Sequence, residues 1–295
     1  MPREIEVKTA LNKTRKRDSW FLDDYTFNPY SSCAFNCLYC YIRGSKYGTN
    51  LEESLSVKTN AIELLDKQLT NRAKKNQHGI IVVSSATDPY LKIEEKYQLT
   101  RQALQVILRH RFPVHIVTKS TLIARDFDLL QQIDKTAILP PDLGGLNRGT
   151  IISFSFSSLV DEVAEVFEPG APAPSQRLQA LGASLDAGFL SGVSLMPLLP
   201  YISDTKEHLK LAFQTFKDLK VNHLFPASIT LFGEGKAASK TLIINAIKKH
   251  YPELVDKYQT FFQDSNQLPY FYQKAFQKRM REMLFAYGLK DRITS

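Results

Sequence analysis

Strand-like and helix-like patterns take turns along nearly the whole chain, and that rhythm limits the architecture more than any other feature. A short β-prone stretch, DDYTFNP, precedes buried-strand runs at 79–85 (GIIVVSS), 113–120 (PVHIVTKS), 149–156 (GTIISFSF), 192–198 (GVSLMPL) and 226–233 (PASITLFG). Helical periodicity fills the gaps at 61–75, 94–109, 124–133, 175–187, 206–219 and 237–250. Strands joined through helices require a parallel sheet with right-handed crossovers, either an open doubly wound sheet or a full or partial barrel. No glycine-rich dinucleotide fingerprint follows the first strand. The Pro/Gly-rich stretch 140–149 reads as a loop, because the βα rhythm resumes directly after it. A chain of 295 residues lies near the upper limit for one hydrophobic core, so one domain with an appendage is expected.

The three cysteines, Cys33, Cys37 and Cys40, all fall in the stretch NPYSSCAFNCLYCY. The N-terminus carries no signal-like apolar run and no span-length apolar stretch follows, so a cytoplasmic protein without a membrane partner is expected. An odd number of crowded thiols in such a chain argues for a ligand set or a reactive site rather than a disulfide framework. A structural zinc needs a fourth ligand, and the nearest histidine in sequence is His78, 38 positions beyond Cys40. A redox pair through Cys37 and Cys40 leaves the third thiol superfluous, and an inert buried trio leaves the crowding unexplained. A four-iron cluster explains the count: three thiolates leave one iron open to substrate or cofactor. In parallel barrels the chemistry sits in the loops after the strands. The cysteines, Thr87 with Asp88, Lys119 with Ser120, and Ser155, Ser157 and Ser158 all occupy such positions.

The spacing C-x3-C-x2-C, with Tyr39 just before the last cysteine, resembles the cluster motif of the radical S-adenosylmethionine superfamily. That resemblance implies an α/β fold, a partial (β/α)6 TIM-like barrel. The chain then divides into a basic N-terminal arm (1–19), the barrel (20–250) and a C-terminal helical extension packed on it (251–295). It also implies an enzyme whose [4Fe-4S] cluster is held by Cys33, Cys37 and Cys40. The open iron takes the amino and carboxylate groups of S-adenosylmethionine, and reductive cleavage yields methionine and a 5′-deoxyadenosyl radical. The electron comes from a reductant protein such as flavodoxin or ferredoxin. Further stretches, among them TDPYLKIEEKYQLTRQALQVI, IVTKS and FEPGAPAPSQRLQAL, are similar to the spore photoproduct lyase-like branch, whose members are often labelled DNA repair photolyase. By matching position, Lys119 resembles the lysine that neutralises the cofactor carboxylate, and Ser155 or Ser157 the serine that hydrogen-bonds it. Thr87 resembles a polar cofactor contact, and Tyr39 is expected near the adenine. Asp88 either starts a turn or meets ribose hydroxyls or substrate, while Glu168 and Arg177 either pair across a loop or leave Arg177 facing the cofactor or an anionic substrate.

One position departs from the branch. Where spore photoproduct lyase carries a hydrogen-donating cysteine, this chain has Ser85. A serine O–H bond is far stronger than a thiol S–H bond, so chemistry on nucleic acid other than spore photoproduct repair is expected. The absent thiol also fits a peptide or small-metabolite substrate, and a cluster-bearing electron-transfer protein would carry the same three cysteines. Nucleic acid is suggested by the formal charge of +8, concentrated around Lys13, Arg15, Lys16 and Arg17 and around Lys274, Lys278 and Arg281. His115 reads as a core or surface histidine and Trp20 as an anchor for the N-terminal arm.

Overall fold

A computed structural model describes residues 2–43, 51 and 55–294. Its strands are β1 (Arg3–Ile5), β2 (Leu11–Lys13), β3 (Tyr25–Phe27), β4 (Tyr30–Ser31), β5 (Ser56–Lys58), β6 (Ile81–Val83), β7 (Val114–Thr118), β8 (Thr150–Phe156), β9 (Leu190–Leu198) and β10 (Leu224–Ser228). Its α-helices are α1 (Ala61–Ala73), α2 (Glu94–Tyr97), α3 (Leu99–Arg109), α4 (Phe127–Thr136), α5 (Asp161–Phe167), α6 (Pro174–Asp186), α7 (Lys206–Asp218), α8 (Ser239–His250), α9 (Val255–Phe261) and α10 (Tyr270–Tyr287).

Strands β3, β6, β7, β8, β9 and β10 lie side by side in chain order, every pair parallel. These are the six strands of the partial (β/α)6 barrel, with an α-helix in every crossover, α1 lying between β3 and β6. β2 adds an antiparallel edge beside β3, while β1, β5 and β4 form a small separate sheet. Alternation along the strands sorts two faces. Val114, Ile116, Ile152, Phe154, Val193 and Leu195 pack under the helices in the largest apolar cluster. On the opposite face Leu22, Ile80, Ile151 and Phe225 join Trp20 and Phe21 to close the floor of the barrel, with Trp20 stacked on Phe225 at 5.2 Å. Trp20 thus anchors the chain as it enters the barrel.

Above that floor, His115, Ser153 and His223 form a buried hydrogen-bonded row with both N···O distances 2.7 Å. His115 Nδ1 lies 2.8 Å from the Phe21 carbonyl, which can only accept, so Nδ1 carries the proton. Ser153 then donates to His115 Nε2 and accepts from His223 Nε2. Burial pushes the His115 imidazole down to about 4 and His223 well below its ordinary value, which keeps both neutral.

Some boundaries differ from expectation. The helix expected over 94–109 breaks at Gln98, whose φ is +49°. The cause is Glu94: its carboxylate accepts from the Thr100 and Arg101 amides at 3.0 and 3.2 Å and so caps a new helix, α3. The strand expected over 226–233 runs instead over Leu224–Ser228. Its register shifts between Pro226 and Ser228, and Pro226 has no amide hydrogen for the ladder. The helix expected from 124 begins as a 3-10 turn, Thr121–Asp126, before α4.

At the C-terminus α10 packs Phe276, Met280 and Leu284 inward and leaves Lys274, Lys278 and Arg281 exposed. No helix among the described residues is long and apolar enough to cross a membrane.

Candidate active site

The cysteine loop follows β4 at the end of the barrel where all six parallel strands terminate. Its shape is set locally by three tight turns, in which the amides of Asn36, Cys40 and Arg43 bond the carbonyls of Cys33, Cys37 and Cys40 at 3.2, 3.3 and 3.0 Å. Asn36 takes the left-handed conformation, φ +52°, which asparagine tolerates well. Arg43, fully buried, staples the loop from behind: Nε donates to the Cys37 carbonyl at 2.9 Å and the guanidinium also reaches Asn36. From the other side the segment after α5 docks against the loop. The Leu38 amide bonds the Phe167 carbonyl and the Gly170 amide the Phe35 carbonyl. Any Cβ on Gly170 would strike the Ala34 carbonyl oxygen, so only glycine permits this approach.

All three thiols are free and half-buried. Burial, then Cys37, Asp88 and Cys40, push the Cys33 thiol well up, and burial pushes Cys37 up to about 12 even though Lys119 opposes it. Among the described residues no three Cys, His, Asp or Glu side chains converge closely enough to share one metal ion. A single zinc would draw its sulfurs within about 4 Å of one another, given Zn–S bonds of ~2.3 Å. A cubane gripped at its corners holds its thiolates further apart than that.

Facing the loop is a network centred on Glu168. Its carboxylate accepts from the Tyr39 hydroxyl, from Ser157 Oγ at 2.6 Å and from the Arg177 guanidinium. Arg177, fully buried, also donates to the carbonyls of Ser155 at 2.9 Å and Pro172 at 2.7 Å. Burial works to raise Glu168, but Lys119 and Arg177 outweigh it and hold the carboxyl below its usual range. Lys119 lies at the end of β7, its Nζ 5.9 Å from the centre of the Tyr39 ring. Burial disfavours its charge, yet Glu168 and Cys37 overcome this and keep it an ammonium. Among the described residues, no carboxylate lies within 4 Å of that ammonium. Asp88 accepts from the Lys119 amide at 2.7 Å, Thr118 Oγ1 at 2.8 Å and the Tyr90 amide at 2.9 Å, so it fixes the backbone from which Lys119 projects.

Three hydroxyls in this mouth are buried without a partner: Thr87 Oγ1, Ser84 Oγ and Ser194 Oγ. Ser194 stands beside Ser155 in the β8–β9 register. A buried polar group without a partner is costly, on the order of 1–3 kcal/mol. These hydroxyls, and a Lys119 ammonium with no carboxylate of the described residues within 4 Å, are groups that a polar, carboxylate-bearing ligand would satisfy. These residues fit a cluster and its cofactor.

Residues 27–212 match the family model of the radical SAM superfamily. The chain belongs to that superfamily. Radical SAM proteins use a [4Fe-4S] cluster and S-adenosylmethionine, so this chain is a radical SAM enzyme with those cofactors. An uncharacterised protein of Mycobacterium tuberculosis is 25% identical over 97% of this chain and 81% of its own length. Another, of Methanocaldococcus jannaschii, is 28% identical over 83% of this chain and 93% of its own. A protein of Pseudomonas phage M6 named a radical SAM Nα-GlyT isomerase is 20% identical over 80% of this chain and 45% of its own. Among solved structures, spore photoproduct lyase complexed with dinucleoside spore photoproduct superposes with a TM-score of 0.62 at 17% identity, covering 93% of this chain and 77% of the lyase. The partial barrel of a radical SAM enzyme is therefore the observed fold.

Of the residues singled out in the sequence, Tyr39, Ser157, Arg177 and Lys119 meet around Glu168, with Thr87 and Asp88 on the adjoining loop. Ser155 joins through its carbonyl. Arg43, Gly170, Ser84 and Ser194 were not singled out. A serine among the apolar residues of a strand was the available sign of Ser194, one it shares with Ser191, and nothing local marks Arg43.

Proposed function

We propose that Cys33, Cys37 and Cys40 hold the cluster and that Lys119, Thr87 and Ser155 receive the amino-acid end of S-adenosylmethionine. Tyr39, Ser157, Arg177 and Asp88 position them, and the substrate is a nucleic acid. Bound together, the two cofactors supply one-electron cleavage to methionine and a 5′-deoxyadenosyl radical. The observation that carries the reading is the Lys119 ammonium, half-buried on the cysteine side of the barrel with no carboxylate of the described residues within 4 Å. A carboxylate entering there exchanges water for a charge-assisted hydrogen bond, stronger than one between neutral groups. Glu168 keeps Lys119 charged, Arg177 holds Glu168, and Asp88 holds the Lys119 backbone. The apolar cluster of Tyr39, Phe167, Leu199 and Ile202 keeps water from the loop.

Nucleic acid is supported by the net charge of +8 and by the dinucleoside ligand of the fold neighbour. The N-terminal basic run does not contribute. Lys13 pairs in register with Tyr25 at the start of β3, and Arg17 bonds Asp24 and Asp142, so this run lies at the opposite end from the cysteines. That placement, together with Ser85 in place of a thiol, favours a peptide or small metabolite as the second reading. Nucleic acid would instead meet the exposed Lys92, Lys206, Lys236 and Lys257, which belong to the segments after β6, β9 and β10.

The test is anaerobic titration of the reconstituted enzyme with single-stranded and duplex DNA and RNA at several salt concentrations, then mass spectrometry for substrate deuterium in 5′-deoxyadenosine. Affinity that falls steeply with salt, with deuterium transfer, is expected. Cofactor cleavage without binding of any nucleic acid would overturn the substrate assignment and leave the cofactor assignment standing.

A further inference from the structure

Tyr201, in the segment that follows β9 at the barrel mouth, is a bulky side chain at φ +61°. Such a conformation is unfavourable for any residue with a Cβ and persists only where its surroundings enforce it. Here they do. The Tyr201 amide bonds Asp204 Oδ1 at 2.7 Å, Tyr272 holds the other Asp204 oxygen at 2.6 Å, and Arg279 and Tyr258 bond the carbonyls of Asp204 and Pro200 at 3.1 and 3.0 Å. All this anchoring presents a ring that is 42% exposed.

The ring is not alone. Phe261 stacks beside it at 6.1 Å, Phe271 meets Phe261 edge-on at 6.3 Å while remaining 67% exposed, and Lys257 sits over the Tyr201 ring at 4.4 Å. Lys274, one turn into α10, is exposed nearby in the chain. Phe261 and Tyr272 pack against the same apolar cluster that contains Tyr39 and borders Cys37, so the rings and the cysteine loop are rooted in one cluster. Exposed aromatic rings beside cations suit unpaired bases: every base has a face to stack, and the ammonium meets phosphate. A purely apolar partner would leave Lys257 without a counter-charge.

We propose that Tyr201, Phe261, Phe271 and Lys257 seat an unpaired base of the nucleic-acid substrate beside the reacting nucleotide. The proposal rests on the nucleic-acid reading above and adds where the strand is held and in what form: single-stranded or locally opened.

The test uses the reconstituted enzyme under anaerobic conditions and fluorescence anisotropy with a short labelled single strand of DNA or RNA, and with the same strand carrying an abasic position. Tyr201→Gly removes the ring while suiting the positive φ, and Phe271→Ala removes an exposed ring. Each is expected to weaken binding of the intact strand by about tenfold and to abolish its advantage over the abasic strand. Iron content and the spectroscopic response to S-adenosylmethionine should remain those of the parent. Lys257→Gln should lower the slope of log affinity against log salt by about 0.7. Variants that bind like the parent would overturn the seat while the nucleic-acid reading stands. A parent that binds no strand at low salt would overturn both. A parent dimer that Phe271→Ala converts to monomer without loss of strand affinity would assign the face to self-association and overturn the seat.

Discussion

Glu94 and Glu168 are both buried carboxylates bonded to a tyrosine hydroxyl and an arginine, yet one network is closed and the other is open. Around Glu94 every charge has an answer. Its oxygens take Tyr30, the Thr100 and Arg101 amides and Arg125; Arg125 also pairs with Asp126 at 2.8 Å, and Arg101 with Asp126 and Asp128 at 2.7 and 2.9 Å. Around Glu168 the first cation, Arg177, is answered and the second, Lys119, is not. A closed network holds α2, α3, the start of α4 with its 3-10 turn, and β4 together. An open one keeps a charge in reserve, and its cost is recovered when a ligand arrives.

The sharpest break between the two comes from removing a thiol. Cys37→Ala should reduce iron from four atoms per chain to near background after reconstitution and abolish 5′-deoxyadenosine release, with far-ultraviolet circular dichroism unchanged. Tyr30→Phe, in the closed network, should keep its full iron. Full iron and cleavage in Cys37→Ala would sink the ligand assignment.

Stability divides the cations next. Arg125→Ala leaves Glu94 buried without its cation and should cost about 3–5 kcal/mol in urea unfolding of the apoprotein. Lys119→Ala removes an ammonium with no carboxylate of the described residues within 4 Å, so its cost in stability should be well below that of Arg125→Ala, while S-adenosylmethionine binding weakens at least tenfold. If Lys119→Ala unfolds the protein as readily as Arg125→Ala does, Lys119 is structural and the comparison fails.

Much of this division was readable from the sequence, for reasons that differ by residue. The cysteines are close in the chain, and Lys119 ends an apolar run, so periodicity alone places it at a strand end. Glu168 and Arg177, nine positions apart, were legible as a pair. Their convergence with Tyr39, 129 positions from Glu168, was not, because only the closed fold brings α5 against the cysteine loop. The strands β1 and β2 escaped notice because Arg3–Ile5 and Leu11–Lys13 are short, charged and largely exposed, without the alternation that marks a half-buried strand. The break at Gln98 was hidden because apolar spacing continues across it, and the cap that causes it is a side chain four residues upstream.

The barrel interior supplies a closed site that titrates. His115 is neutral when folded, with a value of about 4 against an ordinary 6.5. Above pH 6.5 neither state binds the proton and nothing is lost. Between 6.5 and 4 the unfolded chain takes a proton that the folded chain refuses, so stability falls, by about 2 kcal/mol at pH 5, and levels off below 4. His223 is shifted in the same direction and adds to the loss. Urea unfolding of the apoprotein at pH 7.5 and 5 should show this difference, and the double variant His115→Gln, His223→Gln should show much less of it. An equal slope in the variant would mean that the histidines are not the source.

The finest contrast is between two buried threonine hydroxyls. Thr100 Oγ1 donates to the Pro89 carbonyl, whereas Thr87 Oγ1, on the open side, has no partner. Valine has nearly the shape of threonine without the hydroxyl, so the same substitution asks opposite questions at the two sites. Thr100→Val leaves a buried carbonyl without its donor and should cost about 1 kcal/mol in apoprotein stability, with cofactor affinity unchanged. Thr87→Val removes a hydroxyl that was already unsatisfied, so the apoprotein should be as stable as the parent or slightly more so. Its effect should appear on S-adenosylmethionine binding, as a several-fold loss. Isothermal titration and urea unfolding on both variants measure the two quantities separately. Should Thr87→Val lose stability and keep cofactor affinity, the hydroxyl has a structural partner, and Thr87 moves to the closed side of the comparison.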